Sequence, residues 1–378
     1  MMKAVLAIAA GMFLACLPGL SYAEVGVTNT TILLGQSADF SGPAQELSVD
    51  IQMGARLYFD DINTKGGIYG RKIELYNFDD GYDAKRAEAN TKELIEKNKV
   101  FALFGYVGTA TSQAAIPIFT AAKVPFIAPY TGADALREPF NRHIFNVRAS
   151  YKDETEKIIE QLVSVGSKKI AVVYQNNTYG KNGLDGLERA LAKRGLKVAA
   201  TGTLERESGD VGNTIKPILA AQPDAVVIIS SYKMTAAVIK EMRKIGTSAQ
   251  FFTVSYVGSR PLAWELGPHG VGVMVTQVVP FPWGGKQLIE REYQKLMNAS
   301  GATEYSFTTL EGFLAAKILV EGLKRAGKDL TREKLISALE SMTNIDVGGF
   351  HVNYSPTNHN ASNFVDVTMI TKNSQFVH

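Results

Sequence analysis

From residue 31 onward the chain alternates short apolar runs with longer stretches in which apolar positions recur at helical spacing. The runs at 31–36, 73–78, 100–104, 125–128, 144–147, 169–174, 197–201, 224–230, 250–255 and 272–278 read as strands. Between them, Ile51, Ala55, Tyr58 and Ile62 share one helical face, as do Ala87, Thr91, Leu94 and Ile95, and later Met234, Ala237, Val238 and Ile245. Strand followed by helix, repeated this often, predicts α/β architecture with parallel sheets covered by helices on both sides.

One of these strands leads into a distinctive loop. Val100 to Phe104 is apolar throughout, as a strand buried on both faces would be, and Gly105, Gly108, Thr109, Thr111 and Ser112 follow directly before a helical stretch. The unpaired N–H groups of such a helix start favour a carboxylate or phosphate. The same residues also read as an ordinary well-capped helix, with the hydroxyls serving as N-cap oxygens. The plan of 100–131 recurs at 224–258, with Ser230, Ser231 and Tyr232 in the second hydroxyl loop, so two similar halves face each other. Ligands in open parallel sheets sit beyond the carboxyl ends of the strands. The loops at 106–112, 130–132, 230–232 and 255–258 are therefore expected to line one cleft, where tyrosine and hydroxyl groups suit a small polar solute. Each tyrosine is equally consistent with half-buried packing.

Composition narrows the class. At 378 residues and 46% hydrophobic content the chain can bury two cores. The formal charge of +3, with no basic tract, makes nucleic acid a poor partner. Residues 1–23 combine Lys3, an apolar run and Ser21-Tyr22-Ala23, the pattern of a signal peptide, which places the mature protein, starting at Glu24, in the periplasm. Cys16, the one cysteine, lies in that segment. A lipoprotein anchor through it is disfavoured because Phe13 stands where such signals usually carry leucine. The five histidines, His143, His269, His351, His359 and His378, lack metal-ligand spacing, and His351 and His359 fall in an Asn-rich stretch that reads as surface. No metal, no cofactor and no catalytic group is expected. Asp79-Asp80 reads as a turn and helix cap in preference to an acid-base pair.

The segments Gly35 to Gly42 (GQSADFSG), Gly54-Ala55 and Asp61 to Arg71 (DINTKGGIYGR) resemble the opening of the type I periplasmic solute-binding proteins of the branched-chain amino acid (Leu/Ile/Val) ABC transporters. The acid pair at 79–80, the hydroxyl loop after Val100, Tyr179-Gly180 and Tyr232 follow in that family's order, over essentially the whole mature chain. The resemblance implies a two-lobed fold with three hinge crossings: 24–147 plus 276–350 as the first lobe, 148–275 plus 351–378 as the second. It implies a monomeric receptor that closes on a small solute and delivers it to an ABC permease and its ATPase subunits. A sensory or regulatory module of the same fold is the alternative.

Carried over by position, the resemblance puts the ligand carboxylate at Thr109, Tyr130 and Thr131, with Tyr179 and Tyr232 facing them. Departures follow. Ser255 stands where the amino acid binders carry a glutamate, Tyr256 where they carry a glycine, and Tyr151 where they carry an aspartate, with Asp153 two residues on. Leu47 replaces an aromatic residue at the cleft mouth. An ammonium buried without a carboxylate costs several kcal/mol. Tyr151, Tyr179, Tyr232 and Tyr256 would then form a neutral aromatic wall suited to a carboxylate without an amine or to an amide, unless Glu205, Glu207 or Asp210 reaches the cleft.

Overall fold

The computed structural model describes residues 24–205, 211–302 and 304–378. The segment expected to be a signal peptide, with Cys16, and Glu207 and Asp210, lie outside them.

The first part of the chain builds a parallel sheet from β1 (Thr31–Ala38), β2 (Lys72–Asp79), β3 (Ala102–Phe104), β4 (Phe126–Ile127) and β5 (Ile144–Phe145), in the order β2-β1-β3-β4-β5. The crossovers are α1 (Gln45–Thr64), α2 (Ala84–Glu96) and α3 (Thr109–Ala121). Ile51, Ala55, Tyr58 and Ile62 are buried, as their shared face on α1 requires.

The second part repeats the pattern: α4 (Tyr151–Ser164), β6 (Ile170–Gln175), α5 (Thr178–Ala192), β7 (Thr201–Leu204), α6 (Gly212–Ala221), β8 (Ala225–Ile229), α7 (Tyr232–Lys244), β9 (Gln250–Thr253), α8 (Ser259–Leu266) and β10 (Met274–Gln277). The chain then returns through α9 (Leu288–Ala299), α10 (Phe307–Ala326) and α11 (Arg332–Glu340). A small ribbon follows, β11 (Ile345–Asp346) with β12 (His351–Val352), and the chain ends in β13 (Asp366–Ile370) and β14 (Phe376–Val377). The second sheet runs β14-β13-β10-β9-β8-β6-β7, with β13 antiparallel to β10 and β14 antiparallel to β13. β8, AVVII, is buried at every position, the signature of a central strand covered on both faces.

Four local expectations change. The strand expected at 197–201 forms its ladder at Thr201–Leu204, where Gly202 and Leu204 alternate inward along an edge strand; the apolar residues before it only lead in. Ile245 sits past the end of α7 and is exposed, because the helix stops at Lys244 before the face completes another turn.

Residues 351–361, expected with the second lobe, pack on the first sheet instead. Asn146 and Asn360 form a parallel bridge beside β5, the Tyr354 hydroxyl donates to the Asn146 carbonyl at 3.1 Å, and the His359 ring stacks on Phe145 at 3.9 Å. His359 is thus buried and not at the surface: its ring replaces a hydrophobe over Phe145 while Nδ1 meets the Ile144 carbonyl at 3.0 Å.

Among the described residues no helix is long and apolar enough to cross a membrane.

Candidate functional site

The loops at the carboxyl ends of the two sheets meet, as the topology dictates, and their aromatic side chains fill the space between them. α3 starts at Gly108, whose φ of 111° suits glycine and whose Cβ, if present, would lie 2.6 Å from the Tyr82 ring. The hydroxyls after it do not cap the helix. Thr111 Oγ1 donates back to the Val107 carbonyl at 2.7 Å, and Ser112 Oγ is buried without a hydrogen-bond partner among the described residues. Thr109 turns away to meet Thr131 Oγ1 at 2.7 Å, and Thr131 in turn meets the Tyr151 hydroxyl at 3.1 Å. Thr109, Thr131 and Tyr151 therefore form one buried hydroxyl chain from the first lobe into the start of α4.

Four of the expected tyrosines join a ring cluster. Tyr256 lies 5.4 Å from Tyr130, 4.6 Å from Tyr179 and 6.4 Å from Tyr151, and Tyr151 lies 5.3 Å from Tyr179. Burial pushes the hydroxyls of Tyr130, Tyr151, Tyr179 and Tyr256 to pKa values far above the ordinary range, so they act as neutral donors. The Tyr179 hydroxyl has no partner in the cluster. Tyr232, at the start of α7, stands at the rim with Ser231 and Gln175 opposite Pro43, Ala44 and Leu47 of the first lobe. What remains between them is a cavity of about 20 Å³, room for about one water. Its lining carries no charged side chain.

Tyr82 was hidden in the turn Asp79-Asp80-Gly81-Tyr82-Asp83. Its hydroxyl accepts from that of Tyr256 across the cleft at 3.1 Å, and its backbone sits at φ 61°. The surrounding acids do the work of a turn. Asp79 accepts from Phe40 N and Ser41 Oγ, Asp80 from Ser37 Oγ and Tyr82 N, and Asp83 caps α2.

Charge lies behind the cleft. Arg148 is buried, its guanidinium 4.4 Å above the Tyr130 ring, 3.5 Å from Glu311 of α10 and 3.8 Å from Glu154 of α4. Its Nη2 donates to Ser255 Oγ, whereas Nε and Nη1 have no hydrogen-bond partner among the described residues. Ser255, expected in the cleft, is tied into this cluster, and its backbone N–H donates to Glu154 Oε2 at 2.7 Å.

Burial opposes the charge on Arg148, but Glu311, Tyr130 and Glu154 together hold its pKa above the ordinary value. Burial pushes Glu311 up to about 7, against the pull of Arg148. In the sequence, Arg148 follows an apolar strand and Glu311 interrupts an otherwise apolar helix face. That pair of exceptions is the one signal that could have found them.

The other acids considered for the missing charge lie elsewhere. Asp153 is committed to the capping box of α4 with Ser150, and Glu205 is exposed, bonded to Asn176 at 3.0 Å. No group of acids, histidines and cysteines among the described residues could hold a metal ion.

Tyr82, Tyr179, Tyr232 and Tyr256 line the central cavity, whereas Thr109, Tyr130, Thr131 and Tyr151 are packed beside it and do not line it. Comparison with known proteins agrees with the two-sheet architecture. Residues 31–375 match the periplasmic binding protein family. An amino acid binding protein of Pseudomonas aeruginosa is 25% identical over 295 residues, covering 75% of this chain and 78% of that one. A possible leucine/isoleucine/valine-binding protein from Rhodopirellula baltica superposes with a TM-score of 0.88 at 30% identity, covering 94% of this chain and 98% of its own. A substrate-binding periplasmic protein from Ralstonia solanacearum gives 0.85 at 30%, covering 92% and 99%.

Proposed function

Because this chain belongs to the periplasmic binding protein family, in its branched-chain amino acid-binding branch with the two-lobed type I fold, we propose that it is the solute receptor of an ABC importer. It works in the periplasm, closes on a small solute and presents it to a membrane permease with its ATPase subunits, without chemistry of its own. Closure follows from differential contacts: the solute touches both lobes only when they are together.

The solute we assign is a small carboxylate or amide that lacks a free amine. The observation that carries this is the neutral lining of the cleft. Thr109, Tyr130 and Thr131, with the N–H groups at the start of α3, take the polar end of the solute. Tyr179, with its unpartnered hydroxyl, Tyr232 and Tyr256 take the rest. The buried carboxylates around the cleft are already engaged, Glu154 and Glu311 by Arg148, Asp39 by the Ala44 N–H and Asp80 by Ser37 and the Tyr82 N–H, so an ammonium would enter without a counter-charge of its own.

With about 20 Å³ between the rings, a solute enters only when the lobes part and the rings make room. Calorimetric titration of refolded, ligand-stripped protein with phenylacetate, propionamide and leucine tests the assignment. Binding of either of the first two with no heat from leucine is expected; tight binding of leucine alone refutes it.

A further inference from the structure

Away from the cleft lining, Asp50 and Arg260 form an ion pair between the two lobes, apart from the Lys152–Asp134 and Arg148–Glu311 pairs beside the start of α4. Asp50 belongs to α1 and Arg260 to α8, and Arg260 Nη2 donates to Asp50 Oδ1. Each partner is fixed in its own lobe. Asp50 Oδ2 accepts from Ser306 Oγ, the N-cap of α10, at 3.0 Å. The base of α8 is held to the second sheet through Ser259, which meets Gln277 of β10, itself bonded to Thr368 of β13 at 2.9 Å. The Arg260 guanidinium also lies over the Trp264 ring at 4.9 Å and 3.4 Å from Glu304 of the first lobe. Asp50 is 2% exposed. Neither partner lines the central cavity.

We infer that Asp50 and Arg260 form an interlobe latch that sets the balance between open and closed forms without touching the solute. The inference rests on the two-lobed closure proposed above.

Two rigidly mounted groups that meet only when the lobes are together stabilise the closed form alone, since in an open form each regains water. Burial pushes Asp50 up to about 6, opposed by Arg260 and Ser306, so at neutral pH it is ionised and engages the guanidinium as a carboxylate. A latch of this kind acts on every solute equally. It raises affinity by lowering the cost of reaching the binding-competent form, while the tyrosine wall keeps the discrimination.

The test is a distance measurement between spin labels at Gln45→Cys and Lys233→Cys, exposed positions on the two lips of the cleft, in protein carrying Cys16→Ser. In protein stripped of solute, Arg260→Gln and Asp50→Asn are each expected to raise the open-to-closed ratio roughly tenfold, the scale of a charge-assisted hydrogen bond. The double variant is expected to add little to either single one.

Leu47→Trp serves as a wedge. A Cβ on Gly258 would already lie 2.3 Å from a Leu47 methyl, so a larger residue at 47 forces the lobes apart. If the wedge lengthens the distance and Arg260→Gln matches the parent, the latch is overturned and the moving lobes stand. If neither lengthens it, the closure reading falls as well. Opening by Asp50→Asn alone would assign the effect to the cap of α10 and also overturn the latch.

Discussion

Replacing Arg148 by methionine keeps an unbranched apolar stem, shortens the side chain and removes its cation from the cluster behind the cleft. The guanidinium loses Ser255, the two glutamates at 3.5 and 3.8 Å, and its place over Tyr130. Breaking a buried pair by removing one partner costs about 3–5 kcal/mol, because the other charge is left uncompensated.

Here the cost depends on pH in a definite direction. Glu311 has its pKa raised by burial to about 7 in the parent, above its unfolded value, and Arg148 pulls it down; removing Arg148 raises it further. Below pH 7 the folded state holds this proton in both proteins, so the difference between them is constant there. Above pH 7 the parent releases it, as its unfolded chain does, while the variant retains it. The unfolded chain then binds fewer protons than the folded variant, so the variant loses stability with rising pH by at most about 1.4 kcal/mol per unit, up to its new pKa.

Urea unfolding of both proteins at pH 6 and pH 8 reads this directly. The gap is expected to widen at pH 8, and adding Glu311→Gln to Arg148→Met is expected to abolish the widening. Equal gaps at the two pH values, or a double variant with the same pH dependence as the single one, would refute the electrostatic account.

Two further substitutions separate binding from packing. Thr109→Val deletes one end of the hydroxyl chain and leaves Thr131 with Tyr151 alone; it should weaken solute binding by roughly 1–3 kcal/mol in calorimetry, and an unchanged affinity would move the polar end of the solute elsewhere. Gly312→Ala places a Cβ 2.2 Å from the Ile51 carbonyl where α10 crosses α1, so an overpacking cost of about 1–3 kcal/mol should exceed the gain in helix propensity of about 1 kcal/mol. A thermal midpoint equal to or above that of the parent would contradict that contact.

Much of the scaffold follows from local pattern. β8 and β6 are apolar runs that only a doubly covered strand would carry, and the burial of Ile51, Ala55, Tyr58 and Ile62 repeats the spacing that predicts α1. The site is legible in its aromatic part for a related reason: Tyr130, Tyr151, Tyr179, Tyr232 and Tyr256 each sit just beyond a strand or at a helix start, where topology brings loops together.

Its electrostatic part is not legible, because pairings such as Arg148 with Glu311 or Asp50 with Arg260 join elements far apart in the chain. No local periodicity encodes them. Tyr82 was obscured by the turn chemistry around it, and residues 351–361 by a ribbon too short to announce which sheet it serves.

The separation of neutral lining from buried charge has a physical consequence for selection. A charged group in the lining would have to be desolvated on every closure, whether or not the solute matched it, and the cost would fall on the closed form. In this protein the ions sit away from the lining, in Arg148, Glu154 and Glu311, and in the Asp50–Arg260 pair between the lobes. The rings of Tyr179 and Tyr256 that line the cavity contribute hydroxyls held neutral by burial. Tyr130 links the two systems, with one face against Arg148 and its ring beside Tyr256. A solute that shifted Tyr256 would thereby disturb the ring over which the Arg148 guanidinium lies, so occupancy of a neutral cleft would reach the buried charge behind it.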